Sequence, residues 1–512
     1  MKKQSLMKGS LILGIAGILT RFLGLFFRWP LIMLIGDEGV GYYQMSYPLY
    51  MFFVAMASGV PIAMSKLISE NNSVDKKNDN YVVLKEAMLL MGIIGVGTSF
   101  ILIFGANTII KCLQWDKKAY YSLIGIGLAP AIVSITTVYR GFFQGYQNMT
   151  NTAISQVLEQ LGRIIFGVGL AYIFLSYGIE YSAGGAAFGA TAGGFISSVF
   201  LYLRYKKIKK QENIKKVKTN IKILDKILKI SIPISVGTTV GTIMTLIDSI
   251  MVPKKLLEAG FSNTQSTILF SQLTGKAAVI INVPLTLSMA LCTSLIPIIA
   301  EVYYLKNKKE TERKINLAIK LSAVISIPCL FGLFFMARPI LQFIFPNKYE
   351  GYNILKYLAL TIPFIVITQI TTSILQGVGH YIYPVINLII GCVIKVLITS
   401  YLVKVSWINI YGAVVASIVA YIAISILNIL VLKKKLQITM KIYDNFIKPT
   451  YFSCFMIIAV ILLYNYVYSL SRSNGLAVLI SIFIGGVIYL ACILAFKVFS
   501  IDEVMDRIKH KK

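Results

Sequence analysis

The sequence predicts an all-α polytopic membrane protein with fourteen transmembrane helices, arranged as two pseudo-symmetric six-helix lobes followed by an extra helical pair. Three observations predict it. Of 512 residues, 57% are hydrophobic and only 14% charged, against roughly 45–50% and 25% in soluble domains. Apolar runs of the length that crosses a bilayer as a helix, about 20 residues, recur along the whole chain. Blocks of the second half also repeat blocks of the first.

Taken in order between charged and turn residues, the runs fall at 9–35, 42–68, 84–110, 120–143, 151–176 and 183–205. The first opens like a signal peptide at Met1-Lys2-Lys3, but it is too long, contains Arg21 and Arg28 and lacks a small-residue cleavage site, so it is retained as a span. After a basic linker, 206–227, come 228–252, 267–300, 315–338, 353–377, 381–404 and 410–432. Run 267–300 exceeds one straight helix and is expected to start outside the hydrocarbon, tilt or break. Spans 449–469 and 475–497 form the extra pair. The resulting division is an N-terminal lobe, 1–205; the linker; a C-terminal lobe, 228–432; helices 13 and 14 within 433–497; and a tail, 498–512.

The net charge of +29 would suggest a nucleic-acid partner in a soluble chain. Here, with residues near a span's end counted on the side they flank, thirty-five of the fifty basic residues fall on one side of the spans together with both termini, ten on the other side and five deep inside spans. The positive-inside rule therefore places both termini in the cytoplasm of a cell-membrane protein and argues against nucleic acid. Ten lysines between Lys206 and Lys229 form the largest cluster, a topology anchor that also meets anionic membrane lipid at about 1 kcal/mol per residue. The six cysteines show no metal-ligand spacing and read as packing, and His380 and His510 have no catalytic or metal partner in the sequence. No P-loop, HExxH or Gly-x-Ser-x-Gly is present, so neither a cofactor, a metal nor an enzymatic reaction is expected.

The repeat rests on three blocks. Pro48-Leu49 and Ser58-x-x-Pro61 match Pro284-Leu285 and Ser294-x-x-Pro297 at a shift of 236 residues. Gln144-Gly145 matches Gln376-Gly377, and Arg163 matches Lys395, at 232. Gly185-Ala186 matches Gly412-Ala413, and Lys206-Lys207 matches Lys433-Lys434, at 227. An even number of spans separates equivalent points, so the lobes share an orientation and would enclose a cavity able to open to either side. Each of the four prolines Pro48, Pro61, Pro284 and Pro297 removes a backbone donor inside an apolar run, which makes them candidate hinges or static kinks.

Five basic residues inside spans, Arg21, Arg28, Arg163, Lys276 and Lys395, cannot face lipid at about 2.5–3.5 kcal/mol each and are expected to face protein or water. Arg21 and Arg28, seven residues apart with Gly24 between them, share one helix face. Glu159 stands one turn before Arg163, so that arginine is either a neutralised structural pair or a site residue. Asp248 could pair with Lys276 or Arg28. Set against Glu159 and Asp248, the five leave an interior charge of +3, which implies an anionic substrate, and arginine suits phosphate because its planar fork binds two oxygens.

Thr20-Arg21-Phe22-Leu23-Gly24, Gly36-Asp37-Glu38-Gly39-Val40-Gly41-Tyr42-Tyr43-Gln44-Met45 and Ser58-Gly59-Val60-Pro61-Ile62-Ala63 resemble the N-terminal signature of the stage V sporulation protein B family. Asp248-Ser249-Ile250-Met251-Val252-Pro253, Leu273-Thr274-Gly275-Lys276-Ala277 and Ile281-Asn282-Val283-Pro284-Leu285 resemble its second-half signatures. That family lies in the multidrug, oligosaccharidyl-lipid and polysaccharide exporter superfamily and is similar to lipid II flippases. The resemblance implies a two-lobed flippase that carries an undecaprenyl-diphosphate-linked saccharide, such as lipid II, from the inner to the outer leaflet. It further implies cell-wall or spore-cortex synthesis as the setting, a forespore association and wall-synthesis enzymes as partners. By motif, Arg21 and Arg28 stand where the flippases hold the diphosphate, and helices 13 and 14 where they receive the polyprenyl tail. The chain departs from the pattern at Pro48-Leu49-Tyr50-Met51-Phe52-Phe53, where flippases carry arginines, and at Lys276, displaced from the family's arginine. Two alternatives stand beside the flippase: a multidrug or cation exporter of the same superfamily, which would use acidic residues and about twelve helices, and a non-transporting scaffold for wall synthesis.

Overall fold

The computed structural model describes residues 4, 6–74, 77–211, 219–293 and 295–496. Lys215, Lys216 and Lys218 of the basic cluster and the tail 498–512 lie outside the described residues. Every regular element among those described is helical, and thirteen helices are long and apolar enough to cross a membrane. The first of them, Ile12–Ser73, has 62 residues and would be roughly 90 Å long if straight, about three hydrocarbon thicknesses. It bends instead at Gly36, whose φ of 65° and ψ of −172° are accessible essentially only to glycine. This single residue separates the expected spans 9–35 and 42–68, and the fourteen spans are thereby accounted for.

A second break in the same stretch parts the helices Leu6–Ala57 and Gly59–Ser73 at Ser58. Pro61 offers no N–H to the carbonyl four residues back, and a neighbouring helix, Ile221–Glu258, bonds to the backbone on either side of the break. The hydroxyls of Ser58 and Thr238 donate to the Ala55 carbonyl at 2.7 and 3.1 Å, and the Gly59 N–H donates to Ser235 Oγ at 3.1 Å. Run 267–300 also breaks: it contains the end of the helix Asn263–Ser271, the π-helical turn Gln272–Ala277, the helix Ala278–Thr293 and the start of Ile296–Tyr304. Pro297 stands in the first turn of that last helix, whereas Pro48 and Pro284 are carried inside helices.

The chain packs as two units, Met1–Ser271 with Thr399–Asn409, and Gln272–Ile398 with Ile410–Lys512. The repeat places its division at the basic linker, but Ile221–Glu258 packs with the first unit, so the packing division comes later. Asn220, the N-cap of that helix, donates its N–H to Glu86 at 2.7 Å; the Trp115 indole donates to the Ser249 carbonyl at 2.9 Å, and Ser249 Oγ to the Met45 carbonyl at 2.7 Å.

The tightest seam of the first unit joins Met149–Ile173 to Ile179–Gln211. Gly185, Gly189 and Gly193 recur every fourth residue; Gly185 faces Leu170, Gly189 faces Gly167 and Gly193 faces Gly162, so backbone meets backbone. This is how helices associate in lipid, where the hydrophobic effect no longer drives them together. In the second unit, Leu295, Ile315, Ile319, Ile370, Ile374 and Leu432 form one core. The extra pair, Lys448–Ser471 and Asn474–Ala495, packs on Lys308–Phe335 through Val324, Met456, Ile457, Val460 and Val478. The Tyr489 hydroxyl there donates to the Val324 carbonyl at 2.9 Å.

Candidate functional site

Before its bend, the first helix carries Gly14, Gly17, Arg21, Gly24 and Arg28 at alternating spacings of three and four, which places them on one face. A Cβ added at Gly14, Gly17 or Gly24 would meet nothing within 4 Å. Arg21 is exposed on this open face, while Arg28 is buried, with 9% of its surface exposed.

Beyond the bend, the returning helix presents Tyr43, Gln44 and Tyr47 to the first unit's interior. Arg28 Nη2 donates to Gln44 Oε1 at 2.6 Å, and its guanidinium carbon lies 4.8 Å from the centre of the Tyr43 ring. Tyr43 and Tyr47 stack at 5.5 Å and 21°. Arg163, from the helix Met149–Ile173, donates to the Tyr47 hydroxyl at 3.2 Å and sits 5.6 Å from that ring's centre. Two guanidinium groups thus lie over neighbouring rings of one aromatic stack, each a cation–π contact strengthened by removal from water.

Glu159 completes the cluster, but its short partner is not Arg163. Arg140 Nη2 lies 2.8 Å from Glu159 Oε2, whereas Arg163 Nη2 lies 3.7 Å from Oε1. Arg140 is held in turn by Ser155 Oγ at 2.8 Å and Ser197 Oγ at 3.2 Å. Arg28 Nη1 and Arg163 Nε are buried with no hydrogen-bond partner among the described residues. A buried donor left unpaired costs about 1–3 kcal/mol, more when charged, so these two nitrogens mark where an acceptor fits. Arg28, Arg140 and Arg163 against Glu159 give the cluster a formal charge of +2.

The structure therefore brings Arg28 and Arg163 onto one platform, with Arg21 two turns back along the first helix. Asp248 is half-buried on Ile221–Glu258, beside Ser249. In the second unit, Lys276 is fully buried on the π-helical turn, and its ammonium donates to the carbonyls of Lys348 and Glu350 at 2.6 and 3.3 Å. Those bonds, with the Glu350 carboxylate 3.9 Å away, hold Lys276 to the stretch after Phe345. Lys395, 2% exposed, lies two turns beyond Asn387. Asn387 donates to Asn428 Oδ1 at 2.8 Å, and Asn428 donates to Thr371 and Thr372 at 3.1 Å each.

Sequence reasoning missed Tyr43, Gln44, Tyr47 and Arg140. The i, i+4 spacing of Tyr43 and Tyr47 inside an apolar helix is a usable signal for an aromatic platform. Arg140, near the end of span 120–143, was indistinguishable from a loop charge until its helix was packed against Glu159 and Ser197. No group of three or more His, Cys, Asp or Glu able to hold a metal occurs among the described residues.

Comparison with known proteins agrees with this architecture. Stage V sporulation protein B of Bacillus subtilis is 28% identical over 87% of this chain and 86% of its own length. Lipid II flippase MurJ of the same organism is 28% identical over 95% of this chain and 94% of its own length. A solved structure of lipid II flippase MurJ in an inward closed conformation superposes with a TM-score of 0.73 at 20% identity, covering 95% of this chain and 98% of that one. An inward-facing multidrug resistance transporter of the MATE family and MOP superfamily superposes at 0.68 and 17% identity, over 82% and 95% of the two chains. Both likenesses give the fold. Residues 274–402 match the family described as MatE. Residues 6–304, more than half of the chain and the whole of the arginine platform, match the family described as polysaccharide biosynthesis protein, and the chain belongs to that family.

Proposed function

We propose that this multi-pass membrane protein is a flippase that carries a polyprenyl-diphosphate-linked saccharide of the lipid II kind from the inner to the outer leaflet by alternating access, in cell-wall or spore-cortex synthesis. One observation supports the reading most: Arg28 is buried in a membrane helix, braced by Gln44 and Tyr43, with Nη1 unspent. A central arginine costs about 2.5–3.5 kcal/mol on insertion, and an anionic cargo offsets that cost. The names of the two similar Bacillus subtilis proteins, a sporulation protein and a lipid II flippase, support the same class of cargo.

In this reading Arg21, on the open glycine face, meets the diphosphate first and Arg28 holds it. Lys395 and Asp248 serve the transport path, and the breaks at Pro61 and Pro297 are the paired hinges of lobes 1–205 and 228–432. Both termini are cytoplasmic, so the negative headgroup moves outward down an inside-negative potential, worth roughly 2.3 kcal/mol per charge per 100 mV. Wall-synthesis enzymes and the forespore membrane are the proposed partners and setting.

The MatE match over 274–402 favours one other reading, export of organic cations, but a buried +2 cluster repels such a cargo. Flipping of a fluorescent polyprenyl-diphosphate-linked sugar in reconstituted vesicles is the test. Arg28→Ala is expected to abolish it while leaving the thermal unfolding profile intact. Wild-type flipping by that variant, or transport of organic cations without flipping, overturns the proposal.

A further inference from the structure

We infer that Glu159 is an internal stand-in for the cargo's phosphate, that Arg163 exchanges it for the cargo, and that Arg140 is the positioning residue that makes the exchange possible. The inference rests on the flippase reading and adds the second half of its anion site together with the charge state of the cargo.

The distances carry it. Arg163 has a buried Nε with no hydrogen-bond partner among the described residues, one bond to a neutral phenol at 3.2 Å and a loose carboxylate contact at 3.7 Å. A guanidinium satisfied for good would use its fork in two parallel short bonds. Glu159, in contrast, is held at 2.8 Å by Arg140, which two serine hydroxyls orient from behind. If Arg163 leaves, the carboxylate keeps its shorter partner, so no unpaired negative charge is stranded in a buried site. Losing one member of a simple buried pair would strand a charge; a shared carboxylate avoids this.

Arg163 and Arg28 stand over adjacent rings of the Tyr43–Tyr47 stack, 5.5 Å between ring centres, and each has a buried unspent nitrogen. That arrangement offers an unspent donor nitrogen to each of two linked phosphoryl groups. A diphosphate esterified at both ends carries one negative charge on each phosphoryl group and neutralises the cluster's +2. A phosphodiester, with a single charge, leaves it half-neutralised. The site is thus matched to a lipid-linked sugar diphosphate and not to the corresponding monophosphate.

The test compares binding of a short-chain polyprenyl-diphosphate-linked N-acetylglucosamine with its monophosphate counterpart, using the purified full-length protein in lipid nanodiscs. Wild type is expected to prefer the diphosphate. Glu159→Gln removes the stand-in and is expected to tighten diphosphate binding about tenfold while slowing flipping. Arg140→Gln leaves Glu159 to Arg163 alone and is expected to weaken binding about tenfold, with no such effect in the Glu159→Gln background. A merely structural Arg140 would weaken binding whatever stands at 159. Weaker or unchanged binding in Glu159→Gln, or equal effects of Arg140→Gln in both backgrounds, overturns the exchange. Should Glu159→Gln fail to fold, unchanged binding in Arg140→Gln overturns it alone. Wild type that binds neither lipid refutes the flippase reading itself, a separate outcome.

Discussion

Alanine at Gly189 tests whether the glycine seam sets the position of Arg163. A Cβ there would lie 2.7 Å from Gly167 Cα and 2.8 Å from the Arg163 carbonyl oxygen, both backbone atoms that no rotamer change can move. Ordinary contact begins at 3.4 Å, so the two helices must separate by roughly 0.7 Å, and close-packed interiors resist such shifts. Overpacking of this kind costs about 1–3 kcal/mol. Gly169, on the helix that bears Arg163, provides the internal control, because a Cβ there would meet nothing within 4 Å. Helix propensity favours alanine by about 1 kcal/mol at both positions and cancels in the comparison. Gly189→Ala should therefore be less stable than Gly169→Ala by about 1–3 kcal/mol, with weaker diphosphate binding in the first variant only. Thermal unfolding followed by intrinsic fluorescence, with the nanodisc binding assay alongside, measures both. Equal melting temperatures for the two variants would refute the reasoning, since the seam would then not be held by backbone contact.

Two further perturbations separate architecture from chemistry. Gly36→Ala places a Cβ at φ 65°, ψ −172° and should cost about 1–3 kcal/mol, read as lower folded yield and melting temperature; wild-type values would show that the bend tolerates side chains. Lys276→Met removes the charged donor from two backbone carbonyls, a loss of about 1.5–3 kcal/mol per bond. It should speed proteolysis after Phe345 and leave diphosphate affinity unchanged, whereas weakened affinity with an intact loop would return Lys276 to the cargo path.

Much of the scaffold was legible because hydrocarbon permits so few backbone solutions. Run length alone marks the helices, and Gly36-Asp37-Glu38-Gly39 interrupts the first long stretch at the very residue where the backbone turns. The serine and proline of Ser58-x-x-Pro61 stand at a real break. The charges were less legible. Glu159 and Arg163 do form the pair that their spacing suggests, at 3.7 Å, but the stronger claim on Glu159 comes from Arg140, nineteen residues earlier and on another helix. Lys276 reads as an intramembrane cation in sequence, and its partners are carbonyls some seventy residues downstream.

By itself the sequence determined a membrane protein of many apolar helices, the interruption between residues 35 and 42 and the presence of arginines that lipid would not accept. Those features follow from local composition, since each run meets the bilayer on its own terms. Only the tertiary structure decided which arginine is satisfied and which is not. That depends on distances between helices, on a glycine seam that brings Gly189 against Gly167 and on the Tyr43–Tyr47 stack beneath Arg28 and Arg163. A side chain's charge is written in the sequence, whereas its partners are set by packing.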